Sequence, residues 1–310
     1  MILTVTMNPA VDITYTLPNF ELDTVNRSQT TQKTAGGKGI NVARVIHLMN
    51  KPVLATGVIG GTVGDFIATA LDQSGIAHDF LRTKLESRNC IAILHEGAQT
   101  EILEEGPTLT DTEESAFLSK FATLVKGADL VTISGSLPKG LSVTIYQQMI
   151  VIAHEHNVRT LLDCSGAPLK TTLSGGCRPF LIKPNLAELN QLLQRDVGSE
   201  NSALKEALSV SMFSGIPWIV VSLGADGALV KAGASFYRAY LPKVSAVNPV
   251  GSGDATVAGL AVALMANSPV DVVIKTAMTA GLLNALEATT GYITYEHFEH
   301  YFHQVSISEL

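Results

Sequence analysis

The chain has 310 residues, of which 46% are apolar and 16% charged, with a formal net charge of −7. That composition supplies a large core and points to elements buried on both faces, as parallel strands under helices are. An acidic surface excludes sequence-independent binding to nucleic acid, which needs clustered Lys and Arg, while three widely spaced cysteines (Cys90, Cys164 and Cys177) exclude a disulfide framework or a CxxC zinc site.

A reducing, cytoplasmic setting fits those thiols. No apolar run approaches 18 residues, so no membrane span is expected, and the opening MILTVTMNPA has no basic region of a signal peptide. Residues 2–6 are predicted to be a buried strand. Residues 11–17 alternate, with Val11, Ile13, Tyr15 and Leu17 against Asp12, Thr14 and Thr16, the pattern of a half-exposed strand. Polar, Thr-rich 27–34 predicts another. Gly36-Gly37-Lys38-Gly39 then opens a helix carrying Ile40, Ala43, Val45 and Ile46 at helical spacing. A strand over 54–59 and a helix over 65–73 follow. Short strands with exposed edges are expected at 80–81, 90–95 and 100–103.

From residue 111 helices (111–126, 142–156, 186–193, 201–213) alternate with strands (130–134, 160–163, 180–183, 218–222). A hairpin over 228–241, two apolar helices over 251–266 and 270–286, and a short amphipathic helix over 294–304 complete the chain. Repeated strand–helix units predict an α/β domain over 1–310 with a mainly parallel central sheet flanked by helices. The exposed strands within 11–34 and 78–105 would form a small β-sheet lid.

Ligands of such a sheet gather beyond the carboxyl ends of its strands. Polar sequences fall there: Ser134-Gly135-Ser136, Asp163, Lys183-Pro184-Asn185 and Ser222-Leu223-Gly224. The strongest motif is Asn248-Pro249-Val250-Gly251-Ser252-Gly253-Asp254, which leads into an apolar helix. Gly251 and Gly253 let the backbone turn and expose its N–H groups at a helix N-terminus, an anion site. Asp254, in the first turn, can take a proton from a hydroxyl while those N–H groups hold phosphoryl oxygens. Read alone, the same residues equally make a turn and a helix cap. The second motif, Gly36-Gly37-Lys38-Gly39-Ile40-Asn41, lets a ligand lie on the backbone within reach of Lys38 and Asn41; it lacks P-loop spacing. In the third, Asn185 and Glu188 share one face of a helical turn. Such a pair suits Mg²⁺ held through water, and it reads as well as a capping box. Asp12, Arg27 and Arg88 lie on predicted lid strands or loops. His297, His300 and His303 read as an exposed face of the terminal helix.

These motifs carry a resemblance. AGGKGINVA at 35–43 and NPVGSGDATVAG at 248–259, in that order and roughly two hundred residues apart, resemble the two signatures of the ribokinase-like sugar kinases, more narrowly their phosphofructokinase-B branch. The TxNPAxD opening at 6–12 resembles that of 1-phosphofructokinases. The stretches 86–107 and 247–264 are similar to the tagatose-6-phosphate kinases. The resemblance implies a three-layer ribokinase-like fold and an ATP- and Mg²⁺-dependent transfer to the 1-hydroxyl of D-tagatose 6-phosphate. It makes Asp254 the base and Gly251, Ser252 and Gly253 the anion hole. Asp12, Gly36, Gly37, Lys38, Asn41 and Ser136 would hold the sugar, and Lys38 and Arg88, with Arg27, its phosphate. Lys183, Asn185, Ser222, Gly224, Gly227, Gly251, Gly253 and Asn284 would hold the nucleotide, with Asn284 near the adenine. Asn185 and Glu188 would organise Mg²⁺ through water. Lid strands of two subunits would clasp into a homodimer. Ser252 departs from the alanine common there. Two rival readings are a 1-phosphofructokinase acting on fructose 1-phosphate and a catalytically silent sugar-phosphate sensor. A nicotinamide-dependent oxidoreductase is disfavoured, because the first strand runs into Met7-Asn8-Pro9 rather than GxGxxG.

Overall fold

Both sides of the first strand are apolar: Ile2 belongs to one hydrophobic cluster, and Leu3 and Val5 to a second. A strand with that pattern must lie between two layers, and the computed structural model, which describes residues 1–310, places it so. In chain order the elements are β1 (Ile2–Thr6), β2 (Ala10–Leu17), β3 (Thr30–Gly36), α1 (Lys38–Leu48), β4 (Val53–Gly60), α2 (Gly61–Gln73), β5 (Ala77–His78), β6 (Leu81–Thr83), β7 (Arg88–His95) and β8 (Ala98–Leu103). Then come α3 (Asp111–Leu124), β9 (Leu130–Ser134), α4 (Ile145–Glu155), β10 (Arg159–Asp163), α5 (Gly166–Ser174), β11 (Leu181–Ile182), α6 (Leu186–Leu193) and α7 (Asn201–Leu208). The chain ends with β12 (Trp218–Ser222), β13 (Ala228–Ala232), β14 (Ser235–Tyr240), α8 (Ser252–Met265), α9 (Val270–Ala285), α10 (Phe298–Phe302) and β15 (Ser306–Glu309).

The main sheet runs β15-β14-β13-β12-β11-β10-β9-β1-β4-β5, with β6 also pairing β4. It is parallel from β12 to the β4 edge and antiparallel through β13, β14 and β15. One cluster packs α1, α2, α8 and α9 on one face. The other packs α3, α4 and the short helices α5 to α7 on the opposite face. The fold is therefore the three-layer α/β arrangement expected. No helix is long and apolar enough to cross a membrane.

A second sheet, β3-β2-β7-β8, forms the lid. Alternation splits it: Val11, Ile13, Tyr15 and Ile91 pack on the core cluster, whereas Asp12, Thr14, Cys90 and Ala92 line the cleft beneath. Its boundaries correct the sequence reading. β3 starts at Thr30, so Arg27 precedes it on an exposed loop. The strands at Ala77–His78 and Leu81–Thr83 join the main sheet through β4, not the lid, because buried Phe80 belongs to the main core. Helix α5 was not expected. Gly166, Pro168 and two threonines mask its pattern, yet Pro168 falls in the first turn, where a missing N–H costs nothing. The polar strand β15 also lay hidden; only Ile307 among its residues packs inward.

Candidate active site

Chain segments far apart in sequence meet beyond the carboxyl ends of β10, β11 and β12 around one cleft of about 1130 Å³. At its floor α8 begins behind Gly251. That residue has φ 86°, in the left-handed region, and a Cβ there would lie 2.7 Å from the Thr290 methyl; only glycine fits. The turn is braced from behind. The buried Asn284 amide donates to Val250 O at 2.8 Å, and its carbonyl accepts from Gly291 N–H at 2.8 Å. Asn248 accepts from Val250 N–H at 3.0 Å and donates to Ala288 O at 3.1 Å. Ser252 N–H donates to Pro249 O within the turn, which leaves the Gly253 and Asp254 N–H groups without a backbone acceptor at the start of α8, beside the cleft, where the helix dipole favours an anion.

Asp254, in the first turn of α8, is only 6% exposed. Its Oδ2 accepts from the Asn41 amide at 2.9 Å across 213 positions of sequence. Burial pushes its carboxyl up to about 7, against the opposing pull of Lys38, the Asn41 hydrogen bond and Lys183; Asp163 adds to the rise. Asp163, at the end of β10, is 2% exposed and stands between two ammonium groups, with Lys38 at 3.6 Å and Lys183 at 3.3 Å. The Asp163 carboxylate holds the Lys38 ammonium well above its ordinary range. A buried charge flanked this way is secured by its partners, and deleting one partner typically costs about 3–5 kcal/mol.

The lid side supplies Asp12, packed so tightly against Gly36 that any Cβ there would overlap its carboxylate. Burial pushes Asp12 up to about 6, opposed by Arg44 and Arg88. The Arg88 guanidinium is held against Asn8 O at 3.2 Å and Glu104 O at 2.9 Å, and it lines the cleft. At the far end lie Lys183, Ser222, Gly224 and Gly227, beside an apolar slot that includes Val244, Met278 and Leu282. Asn185 and Glu188 line the same cleft and cap α6 reciprocally, at 2.9 and 2.8 Å.

Of the residues expected at the site, Asp12, Gly37, Lys38, Asn41, Arg88, Lys183, Asn185, Glu188, Ser222, Gly224, Gly227, Gly251, Ser252, Gly253 and Asp254 share this cleft. Gly36 stands just behind it. Exposed Arg27 and Ser136 lie outside its lining. Asn284, expected near the adenine, is not part of the cleft lining; its amide bonds Val250 O and Gly291 N–H behind the Gly251 turn. Two residues were missed. Asp163 was visible only as a polar strand end, and Arg44 only as a charge on an otherwise apolar helix.

Known proteins share this fold. The model of the pfkB family of carbohydrate kinases matches residues 5–295. Phosphofructokinase-2 from Escherichia coli, solved with potassium, is 26% identical over 98% of each chain, with a TM-score of 0.91. A Staphylococcus aureus protein assigned provisionally as a phosphofructokinase is 30% identical over 100% of this chain and 99% of its own, TM-score 0.85. A possible 1-phosphofructokinase from Thermotoga maritima is 25% identical over 100% and 99%, TM-score 0.88. With its two signature turns closed around one cleft and the family model matched over nearly its whole length, the chain belongs to the pfkB family of carbohydrate kinases.

Proposed function

We propose that this chain transfers the γ-phosphoryl group of ATP to the free primary hydroxyl of a phosphorylated ketohexose, and that a fructose phosphate is the acceptor. The observation that carries the reading is the Asn41–Asp254 hydrogen bond. It joins the two glycine-rich turns, so a hydroxyl resting on Lys38 and Asn41 meets a carboxylate beside an anion-holding loop. The phosphofructokinase names of the similar structures support fructose phosphates. The stretches 86–107 and 247–264 keep D-tagatose 6-phosphate as the second reading.

The residues present fit ATP: an N–H cradle, a lysine beside it, and an apolar slot wide enough for a base. ATP supplies the phosphoryl group. Lys183, whose ammonium would lie 3.3 Å from a Cβ at Gly253, stands over the cradle, where it can neutralise phosphate charge. No group of three or more His, Cys, Asp or Glu is set to hold a metal directly. Mg²⁺ would therefore meet Asn185 and Glu188 through its own waters. Asp254 accepts the hydroxyl proton as the new O–P bond forms and the bond from the γ-phosphorus to the bridging oxygen of ATP breaks, releasing ADP. Asp12 fixes the sugar's other hydroxyls, and Lys38 and Arg88 meet its existing phosphate. The lid sheet would close over the sugar, and the loop between β2 and β3, with exposed Leu22 and Val25, would help pair it with a second copy.

A coupled ADP-release assay across fructose 6-phosphate, fructose 1-phosphate and tagatose 6-phosphate tests the acceptor. The highest kcat/KM is expected on a fructose phosphate; a tagatose 6-phosphate preference would overturn that choice. A pH series tests the base. Asp254 works only when ionised and its carboxyl stands near 7. The kcat/KM value is therefore expected to climb as pH rises through about 7 and then level off. A profile flat from pH 6 to 8 would remove Asp254 as the titrating group.

A further inference from the structure

The Arg44 side chain sits where no charge was needed by its neighbours on α1: Val42, Ala43, Val45 and Ile46 are all buried in the core. Burial lowers the guanidinium's proton affinity, and Asp12 and Asp254 oppose that. Both of its terminal nitrogens find acceptors. One terminal nitrogen donates to Asn41 Oδ1 at 3.1 Å and to Thr290 O at 3.1 Å; the other donates to Ala35 O. A guanidinium has donors only. The atom of Asn41 that faces it must therefore be the carbonyl oxygen, and the amide NH₂ is left pointing the other way, at Asp254 Oδ2. The three acceptors belong to three different pieces: the end of lid strand β3, helix α1, and the loop that braces the Gly251 turn. A Cβ at Gly291 in that loop would lie 2.7 Å from Asn41, so glycine is what lets the loop pack this closely on that side chain.

Resting on the kinase reading above, we propose that Arg44 is a positioning residue for the base: it fixes the Asn41 amide in the one orientation that donates to Asp254, and it ties that orientation to the lid strand at Ala35. The base is the only partner of the Asn41 NH₂ group. Without Arg44 the amide can flip and turn its oxygen toward the carboxylate, replacing a favourable hydrogen bond with repulsion between two acceptors. The ionised form of Asp254 then loses support. The other charges that face Asp254 are Lys38 on α1, Asp163 at the end of β10 and Lys183 after β11. None touches Arg44, and all remain in place in an Arg44 variant. Asp12 on β2 is the other carboxylate beside Arg44. Its titration is read separately, through the sugar KM.

The test is the pH profile of single-turnover phosphoryl transfer in Arg44→Lys, Arg44→Gln, Asn41→Ala and the Arg44→Lys/Asn41→Ala double variant. Single turnover keeps product release from masking the chemical step. A hydrogen bond to a charged group is worth about 1.5–3 kcal/mol, equivalent to roughly one to two pKa units. The acid limb is expected to move up by about one to two units in Arg44→Lys, in Arg44→Gln and in Asn41→Ala. The double variant should add nothing further to the limb, because the two residues act through one bond. A limb unmoved in the Arg44 variants, or one that moves additively in the double variant, overturns the proposal. Should the Arg44 variants fail to fold, Asn41→Asp decides. It keeps an acceptor for Arg44 and places an acceptor against Asp254, so its limb must rise by at least as much as that of Asn41→Ala; an unmoved limb refutes the proposal. Failure of the kinase reading itself would look different, since the unsubstituted protein would then transfer no phosphoryl group from ATP to any of the three sugar phosphates.

Discussion

Replacing Asp254 by Asn is expected to lower turnover by about 10²- to 10⁴-fold, the scale of a lost general base. The substitution keeps the shape of the side chain and still offers an oxygen to the Asn41 amide, so the loop from Asn248 to Gly253 should hold its form. It also removes a carboxylate that burial disfavours. Folding stability should therefore be unchanged or higher, and nucleotide affinity nearly intact, since the N–H cradle, Lys183 and the apolar slot are untouched. Single-turnover kinetics with titration calorimetry for ATP separates these. Near-normal transfer in Asp254→Asn would remove the residue as base, and a collapse of ATP binding would mean that it serves the nucleotide instead.

Lys38→Ala is expected to raise KM for the sugar phosphate about 10- to 100-fold, the worth of one charge-assisted contact. A second consequence follows from the same ammonium. Lys38 is the leading influence that lowers the Asp254 carboxyl, so its loss moves the acid limb of kcat/KM upward. Asp163 would keep Lys183 as its remaining partner. The variant should melt earlier than the parent for that reason, and thermal unfolding reports it separately. An unchanged KM would place the phosphate elsewhere in the cleft, with Arg88 as its sole cation.

The residues that line the cleft were largely legible because a glycine-rich turn at a helix start is a local pattern, readable from a few neighbours. The two apolar helices α8 and α9 and the alternating strand β2 were legible for the same reason. What stayed hidden depends on pairing across the chain. Residues 77–83 look like lid strands until β4 claims them, since a two- or three-residue strand has no periodicity of its own. Asn185 and Glu188 presented a metal pair and a capping box with the same spacing, and the cap bonds both form. Asn284 was expected near the adenine by resemblance; its bonds to Val250 O and Gly291 N–H, which brace the Gly251 turn, join residues far apart in sequence and could not be read from its own helix. Arg44 and Asp163 escaped because their partners, Thr290 in one case and Lys38 in the other, lie far away along the chain.

Two carboxyl groups at the cleft, Asp12 and Asp254, are held above their ordinary range by burial. An unfolded chain gives up those protons near pH 4, whereas the native molecule keeps them to about 6 and 7. Across that interval the native state binds more protons, so its margin over the denatured ensemble shrinks as the solution grows more alkaline, and is fully restored only on the acidic side. The ionised form of the cleft is thus its less comfortable one: at the pH where Asp254 carries its charge, the surrounding architecture bears a standing electrostatic load.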